Sequence, residues 1–282
     1  MQSLYLSNED IKSVLPVRNI NSHKGNYGKI LLLCGSKGYT GAAALAAMGA
    51  LRSGAGLVFL GIPESIYEIE AIKLLEPVVF PLPEENGMYS SASSDIVKTM
   101  LFKMDAVLIG PGIGQSEGSL SVVKTVLEDF NGPVVVDADG INVLSSHKYI
   151  LRDRIAPTIL TPHDGEFVRI GGKITSDRTE SAAKLAKELG CIVLLKGHRT
   201  VITDAEMCYI NQTGNPGMAV GGSGDVLSGI IVSLLGQGLS PLMAAACGAW
   251  LHGAAGDICE KEIGQYGMLP QDMVNALPRL LP

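Results

Sequence analysis

Asn215-Pro-Gly-Met-Ala-Val-Gly-Gly-Ser-Gly-Asp225 runs without a break into Val226-Leu-Ser-Gly-Ile-Ile-Val-Ser-Leu-Leu235. Apolar residues at 226, 227, 230, 231, 234 and 235 give the second stretch one buried helical face. A helix from about Asp225 to Leu235 then has its first turn at the glycines, with unpaired N–H groups and the positive dipole end directed into the loop. An anion suits that place, and residues without side chains let phosphate oxygens approach the backbone. Asp225 is at odds with a pure anion site, because a carboxylate repels phosphate. It makes sense as a base that takes the proton of an attacking hydroxyl. The plainer alternative is an N-cap Asp in a glycine-rich turn. Since Asn caps about as well as Asp, Asp225→Asn is expected to remove the base while leaving stability nearly unchanged.

Outward from this loop, short apolar runs recur: Ile30–Leu33, Leu57–Ile62, Val78–Leu82, Ala106–Ile109, Val134–Val136, Thr158–Leu160 and Ile192–Leu195. Several are apolar on both parities, as strands covered by helices on both faces are. Helical patterns lie between most of them, at Gly41–Ser53, Ser65–Lys73, Ser91–Lys103, Ser119–Asp129 and Ser176–Gly190. This alternation predicts an α/β fold with a large, mainly parallel sheet flanked by helices on both faces. Thr200–Thr203 and Cys208–Ile210 read as a hairpin added at a sheet edge, and helices are expected at Pro241–Lys261 and Asp272–Leu281. No linker rich in Pro, Ser or charge divides the 282 residues, so one domain over 1–282 is expected.

Composition narrows the class. Apolar residues are 46% and aromatics 5%, so packing relies on small and aliphatic side chains. The 34 glycines cluster instead of repeating, which makes them positional. A net charge of −6 leaves no electrostatic footprint for nucleic acid. The five scattered cysteines include no CxxC pair and read as reduced core residues of a cytoplasmic protein. The start shows no signal peptide, and no apolar run is long and uninterrupted enough to span a membrane.

Four further segments close strands. Leu160-Thr-Pro-His-Asp-Gly-Glu166 places His163 and Glu166 where ligands of open α/β sheets bind. The two side chains can hold a substrate group and a water on Mg²⁺. Equally, Pro162 can open a helix whose first turn carries Asp164 and Glu166. Lys196-Gly-His-Arg-Thr200 offers charges and a hydroxyl for a nucleotide, or a strand turn with solvated charges. Val136-Asp-Ala-Asp-Gly-Ile-Asn142 offers paired acids, or turn chemistry. Gly110-Pro-Gly-Ile-Gly114 lacks a full dinucleotide fingerprint and reads as a tight turn. The small-residue helix Gly41–Gly56 suits close packing on the sheet more than a wall for a ligand or subunit, and His252 reads as a buried or interface histidine.

Taken in order, these segments together with Lys24-Gly-Asn-Tyr-Gly-Lys29, Gly35-Ser36 and Leu251-His-Gly253 resemble the ribokinase-like superfamily. Within it they are most similar to the ADP- or ATP-dependent NAD(P)H-hydrate dehydratases. The resemblance implies that the S epimer of 6-hydroxylated NADH or NADPH is phosphorylated on its hydroxyl by ADP or ATP and then loses phosphate. Carried over by motif, Asp225 is the base, and Gly222 to Gly224 stabilise the transferring phosphoryl. Lys196, Gly197, His198, Arg199, Thr200 and Gly224 hold the nucleotide. Ala42, Gly114, His163 and Asp225 line the hydrate site, with Glu166 near Mg²⁺ through water.

Small-alcohol kinases of this fold more often carry Asn where His163 stands, so His163 favours the dehydratase over a vitamin-precursor kinase. A nucleotide sensor needs no base, so Asp225 argues against one. Longer relatives carry an epimerase domain that this chain lacks, which implies a separate epimerase for the R form. The Ala/Gly-rich helices suit a homo-oligomer such as a tetramer. Preference between ADP and ATP, and between the two hydrates, stays open.

Overall fold

The computed structural model describes residues 2–282. Its strands, in chain order, are β1 (Ser3–Leu4), β2 (Lys29–Leu33), β3 (Leu57–Pro63), β4 (Val78–Leu82), β5 (Glu84–Glu85), β6 (Met88–Tyr89), β7 (Ala106–Ile109), β8 (Val134–Val136), β9 (Thr158–Leu160), β10 (Ile192–Leu195), β11 (Val201–Thr203) and β12 (Cys208–Ile210). The α-helices are α1 (Asn8–Val14), α2 (Thr40–Arg52), α3 (Tyr67–Lys73), α4 (Ser93–Leu101), α5 (Glu117–Asp129), α6 (Asp139–Leu144), α7 (Tyr149–Asp153), α8 (Asp164–Arg169), α9 (Arg178–Leu189), α10 (Ser223–Gly236), α11 (Pro241–Ile263) and α12 (Pro270–Ala276).

Ten strands form one sheet in the order β1-β12-β11-β10-β9-β8-β7-β2-β3-β4. Every pairing from β10 through to β4 is parallel, while β11 runs antiparallel to both β10 and β12. The expected hairpin is present, but it is not the edge. The two-residue β1 pairs in parallel outside β12, too short a strand for periodicity to reveal. The short helices α1, α6 and α7 also lacked enough turns to show a pattern.

Strand alternation sends the central strands to two cores. Ile30, Leu32, Leu108, Val135 and Leu194 pack under α2, α10, α11 and α12. Leu31, Leu33, Ile109, Val136 and Leu195 pack under α4, α5 and α9. Burial on both faces explains why these strands read as unbroken apolar runs. From β2 the chain adds β3 and β4 on one side, then crosses back to lay β7 and β8 on the other. This reversal is the switch point at which a parallel sheet opens a crevice beyond its carboxyl ends.

The small-residue helix α2 packs tightly, as its composition suggests, but its closest partner is α10 and not the sheet. A Cβ on Gly229 would lie 2.2 Å from the Ala46 carbonyl oxygen, and one on Gly49 would lie 2.8 Å from the Val226 carbonyl oxygen. Glycine at both positions lets the two backbones touch. In a free helix Gly→Ala gains up to about 1 kcal/mol. Here overpacking outweighs that gain, so Gly229→Ala is expected to destabilise the fold by about 1–3 kcal/mol. A urea titration reads this as a lowered midpoint; a raised midpoint would contradict the close approach.

Candidate active site

The loop before α10 makes its turn at Gly222, the N-cap residue, with φ of 97°. That left-handed backbone, and the Leu45 methyl 2.5 Å from where a Cβ would stand, require glycine there. Ser223, Gly224 and Asp225 therefore occupy the first three helical positions. Asp225 is not the N-cap, and the capping alternative read from the sequence is wrong. The loop folds one residue pair earlier than apolar periodicity indicates, since Ser223 and Gly224 carry no apolar signal.

Gly224 is different. A Cβ there would meet no neighbouring atom closer than the Lys196 ammonium at 3.5 Å and Asp137 Oδ2 at 4.0 Å. Protein packing does not demand glycine at 224, and the backbone there faces open space. Ser223 is steadied from α11, its Oγ lying 3.2 Å from Nε2 of buried His252. Burial above all pushes that imidazole down to about 4, so it is neutral, in line with the reading of His252 as a buried residue.

Three strand ends supply the charge. Lys196 follows β10 and donates from Nζ to Asp137 Oδ1, 2.9 Å away at the end of β8. Its ammonium also lies 3.7 Å from Glu166 Oε2 in α8. Burial alone disfavours the ammonium, but Asp137, Glu166 and Asp225 together outweigh that and raise its pKa. The solvated-charge reading of this segment thus fails for Lys196, whose side chain is 20% exposed. Asp225 sits beside the same cluster, and its carboxyl is pushed up to about 7. Burial is the main cause, then Asp137; Lys196 opposes both, and Glu166 adds to the rise.

His163 caps α8: its Nδ1 accepts from the Gly165 N–H at 2.9 Å, and Glu166 Oε2 accepts from the His163 N–H at 2.9 Å. The helix-start reading therefore holds, with His163 and not Pro162 at the boundary. The imidazole remains 57% exposed at the rim. Past Lys196 the chain turns through Arg199, at φ of 57°, with Thr200 Oγ1 donating to the Gly197 carbonyl at 3.0 Å. His198 and Arg199 help line a cleft of about 450 Å³ with Arg178 and Thr179. On the opposite flank, a Cβ on Gly112 would stand 3.0 Å from the Ala42 methyl, so Gly110–Gly114 lies directly on the start of α2.

The structure therefore gathers Lys196, Glu166, His163, Gly224 and Asp225 into one cluster. Ala42 and Gly114 stand on one flank of it and His198–Thr200 on the other. Sequence reasoning did not single out Asp137 as the partner of Lys196, nor Arg178. Arg178 donates to the Lys196 carbonyl at 2.8 Å and pairs with Asp164 at 2.8 Å. For Asp137 a signal existed: an acid that closes the buried run Val134-Val-Val136 needs a countercharge.

A model of the NAD(P)H-hydrate dehydratase family matches residues 30–279. The chain belongs to that family. It is 36% identical to the ADP-dependent (S)-NAD(P)H-hydrate dehydratase of Bacillus subtilis, over 98% of this chain and 97% of that protein. It is also 46% identical to the bifunctional NAD(P)H-hydrate repair enzyme of Moorella thermoacetica, over 96% of this chain but 52% of that protein. The chain thus spans about half the length of such bifunctional family members. A crystal structure of the Bacillus subtilis ADP/ATP-dependent enzyme, co-crystallised with ATP and Mg²⁺, superposes with a TM-score of 0.85 at 32% identity, covering 99% of this chain and 98% of that one. An Arabidopsis thaliana ribokinase, at 15% identity and a TM-score of 0.61 over 90% of this chain and 98% of that one, shares the fold alone. The fold is ribokinase-like, as the motif order implies.

The charge cluster has a consequence for stability. Folding raises Asp225 from an ordinary 3.8 to about 7, so the folded chain holds that proton more tightly than the unfolded one. The resulting stability is complete below about pH 4, declines between pH 4 and pH 7, and is gone above. Asn does not titrate. Asp225→Asn is therefore expected to match the parent near pH 4 and to exceed it at pH 8 by on the order of 4 kcal/mol, at about 1.4 kcal/mol per pH unit. The expectation of nearly unchanged stability weighed only the equal capping ability of Asn and Asp and left out burial of the carboxyl. Denaturation of both proteins at the two pH values checks it; equal stability at pH 8 would refute the raised carboxyl.

Proposed function

We propose that this chain dehydrates the S epimer of hydrated NADH or NADPH, with ADP or ATP as phosphoryl donor. The observation that carries the reading is Asp225, a carboxyl titrating about 7, set one residue from the unfilled space at Gly224 where α10 begins. A base with a pKa near the working pH is the most effective one, and a helix start without side chains is where phosphoryl oxygens dock.

Hydroxide leaves poorly, so the hydroxyl is first converted into a phosphate. The hydrate oxygen attacks the terminal phosphorus while Asp225 accepts its proton. The bond to the nucleotide breaks, giving AMP from ADP or ADP from ATP. The ring nitrogen lone pair then expels phosphate, and loss of a ring C–H proton leaves the reduced nicotinamide. Backbone N–H groups of Gly222 to Gly224 meet the charge that develops on the phosphoryl oxygens. In this reading Lys196 and the turn through Thr200 hold the nucleotide beside the cleft of His198 and Arg199. Ala42, Gly114, His163 and Asp225 face the hydrate.

Mg²⁺ fits these residues only as an ion arriving with phosphate. Among the described residues no group of three or more acids, histidines or cysteines forms a cage, and Mg²⁺ asks for none, taking one or two carboxylates, waters and substrate phosphates. Three carboxylates facing one ammonium leave negative charge for such a cation to balance, with Glu166 holding it through water. When bound, the ion neutralises phosphate charge.

The reading extends to the surroundings. One ribokinase-like unit over residues 1–282 carries the activity, in a cytoplasmic setting that suits five free, buried cysteines. No helix among the described residues is long and apolar enough to cross a membrane. A separate epimerase activity supplies the S form from the R form, and exposed apolar residues such as Ile72 and Leu75 suit contact with further copies of the chain in a homo-oligomer.

The test is to incubate hydrated NADH with Mg²⁺ and either nucleotide and to follow nicotinamide absorbance. Absorbance is expected to return with nucleotide and not without it, and chelation should abolish turnover until Mg²⁺ is restored. Asp225→Asn is expected to lower turnover by about 10²–10⁴-fold with nucleotide still bound, and His163→Ala to slow turnover at limiting hydrate. Phosphorylation of a vitamin-precursor alcohol with no return of absorbance would replace this reading by a kinase.

A further inference from the structure

Asp137 and Asp139 flank Ala138, whose φ of 49° and ψ of −118° place an L-residue in backbone territory that favours glycine. The Gly140 N–H donates to the Asp137 carbonyl at 2.9 Å, closing the turn. These are the dihedrals of the first central residue of a type II′ turn, where glycine is the default. The turn is held from both sides. The Asp137 N–H donates to the Ile109 carbonyl at 3.1 Å. A Cβ on Gly110 would lie 1.9 Å from the Asp137 carbonyl oxygen, so β7 and the turn are in backbone contact.

The strained link directs two neighbouring acids to different partners. Asp137 Oδ1 takes the Lys196 ammonium at 2.9 Å, and its Oδ2 faces the space at Gly224. Asp139 Oδ2 instead accepts from the Gly114 N–H at 3.0 Å, while its Oδ1 accepts from Gln115 Nε2 at 3.3 Å and Asn142 Nδ2 at 3.2 Å. Asn142 Oδ1 in turn accepts from Arg169 in α8. A three-residue segment thus ties the loop at Gly114 to the loop at Lys196.

On the reading given under Proposed function, Gly114 faces the hydrate and Lys196 the phosphoryl donor. We infer that Asp139 is a positioning residue for the hydrate, holding Gly114 in place, and that the Ala138 backbone fixes this loop relative to the phosphoryl side. Strain at a non-glycine residue persists where the surroundings over-determine it, and here both neighbours are anchored.

Asp139→Asn puts an amide NH₂ where one of two donors now points, so either Gly114 or the Gln115 and Asn142 amides lose their acceptor. Loss of one hydrogen bond to a charged group is expected to raise the KM for (S)-NADH hydrate about tenfold, with the KM for ADP in Mg²⁺ changed by less than about twofold. Ala138→Gly keeps both carboxylates, relieves the positive φ and loosens the link. It is expected to raise Tm while also raising the hydrate KM. A general structural defect would lower Tm and move both KM values together. A rise confined to the ADP KM in Asp139→Asn, or an unchanged hydrate KM in both variants, overturns the inference. Failure of the parent protein to turn over hydrate at all would instead sink the functional reading on which the inference rests.

Discussion

Three carboxylates, Asp137, Glu166 and Asp225, share one ammonium at the carboxyl ends of neighbouring strands. Taking charges out of water costs several kcal/mol per ion, roughly, unless partners compensate. Lys196 compensates best for Asp137, 2.9 Å away, and next for Glu166 at 3.7 Å. Asp225 is left with the least, and it is the carboxyl whose pKa climbs to about 7. Burial first, and then this imbalance of charge, lifts the Asp225 carboxyl toward neutral pH, as the base proposed for the reaction requires. The proposed chemistry would draw on the same buried charge that costs stability here.

The cluster forms where it does because of close contacts between uncharged residues. Gly49 and Gly229 let α2 and α10 touch, and Gly222 turns the chain into α10 under Leu45. That fixes the start of α10 over the ends of β8 and β10, with His252 in α11 steadying Ser223 from behind. Two neighbouring helices, α2 and α11, thus aim the start of α10. Asp137, Glu166 and Lys196 come from the segments that follow β8, β9 and β10, whose ends the parallel sheet aligns at one rim.

Much of this architecture was legible in the residues. Ala106–Ile109, Val134–Val136, Thr158–Leu160 and Ile192–Leu195 stand where apolar runs bounded by Gly, Pro or Asp placed them, because strands buried on both faces are mostly apolar throughout. The loop at 221–225 was equally plain, since glycines before an apolar helical face have few readings. The pairing of Lys196 with Asp137 was not: they lie 59 residues apart, and only the order of the strands brings them together. Nor was the position of Asp225 within its helix, because Ser223 and Gly224 give no periodic signal. The difference matters physically, because a capping carboxylate and a buried carboxyl respond oppositely to pH.

In the proposed reaction the hydrate oxygen, not water, attacks the nucleotide's terminal phosphorus, with Asp225 as its base. Labelling the hydrate hydroxyl with ¹⁸O and following the label into products, with the protein, Mg²⁺ and ADP in unlabelled water, distinguishes the two. If the hydroxyl is phosphorylated and the carbon–oxygen bond then breaks, the released inorganic phosphate carries the ¹⁸O. If the phosphate is unlabelled and the ¹⁸O appears in water, the nucleotide has been hydrolysed separately from dehydration, and the account of this site is wrong.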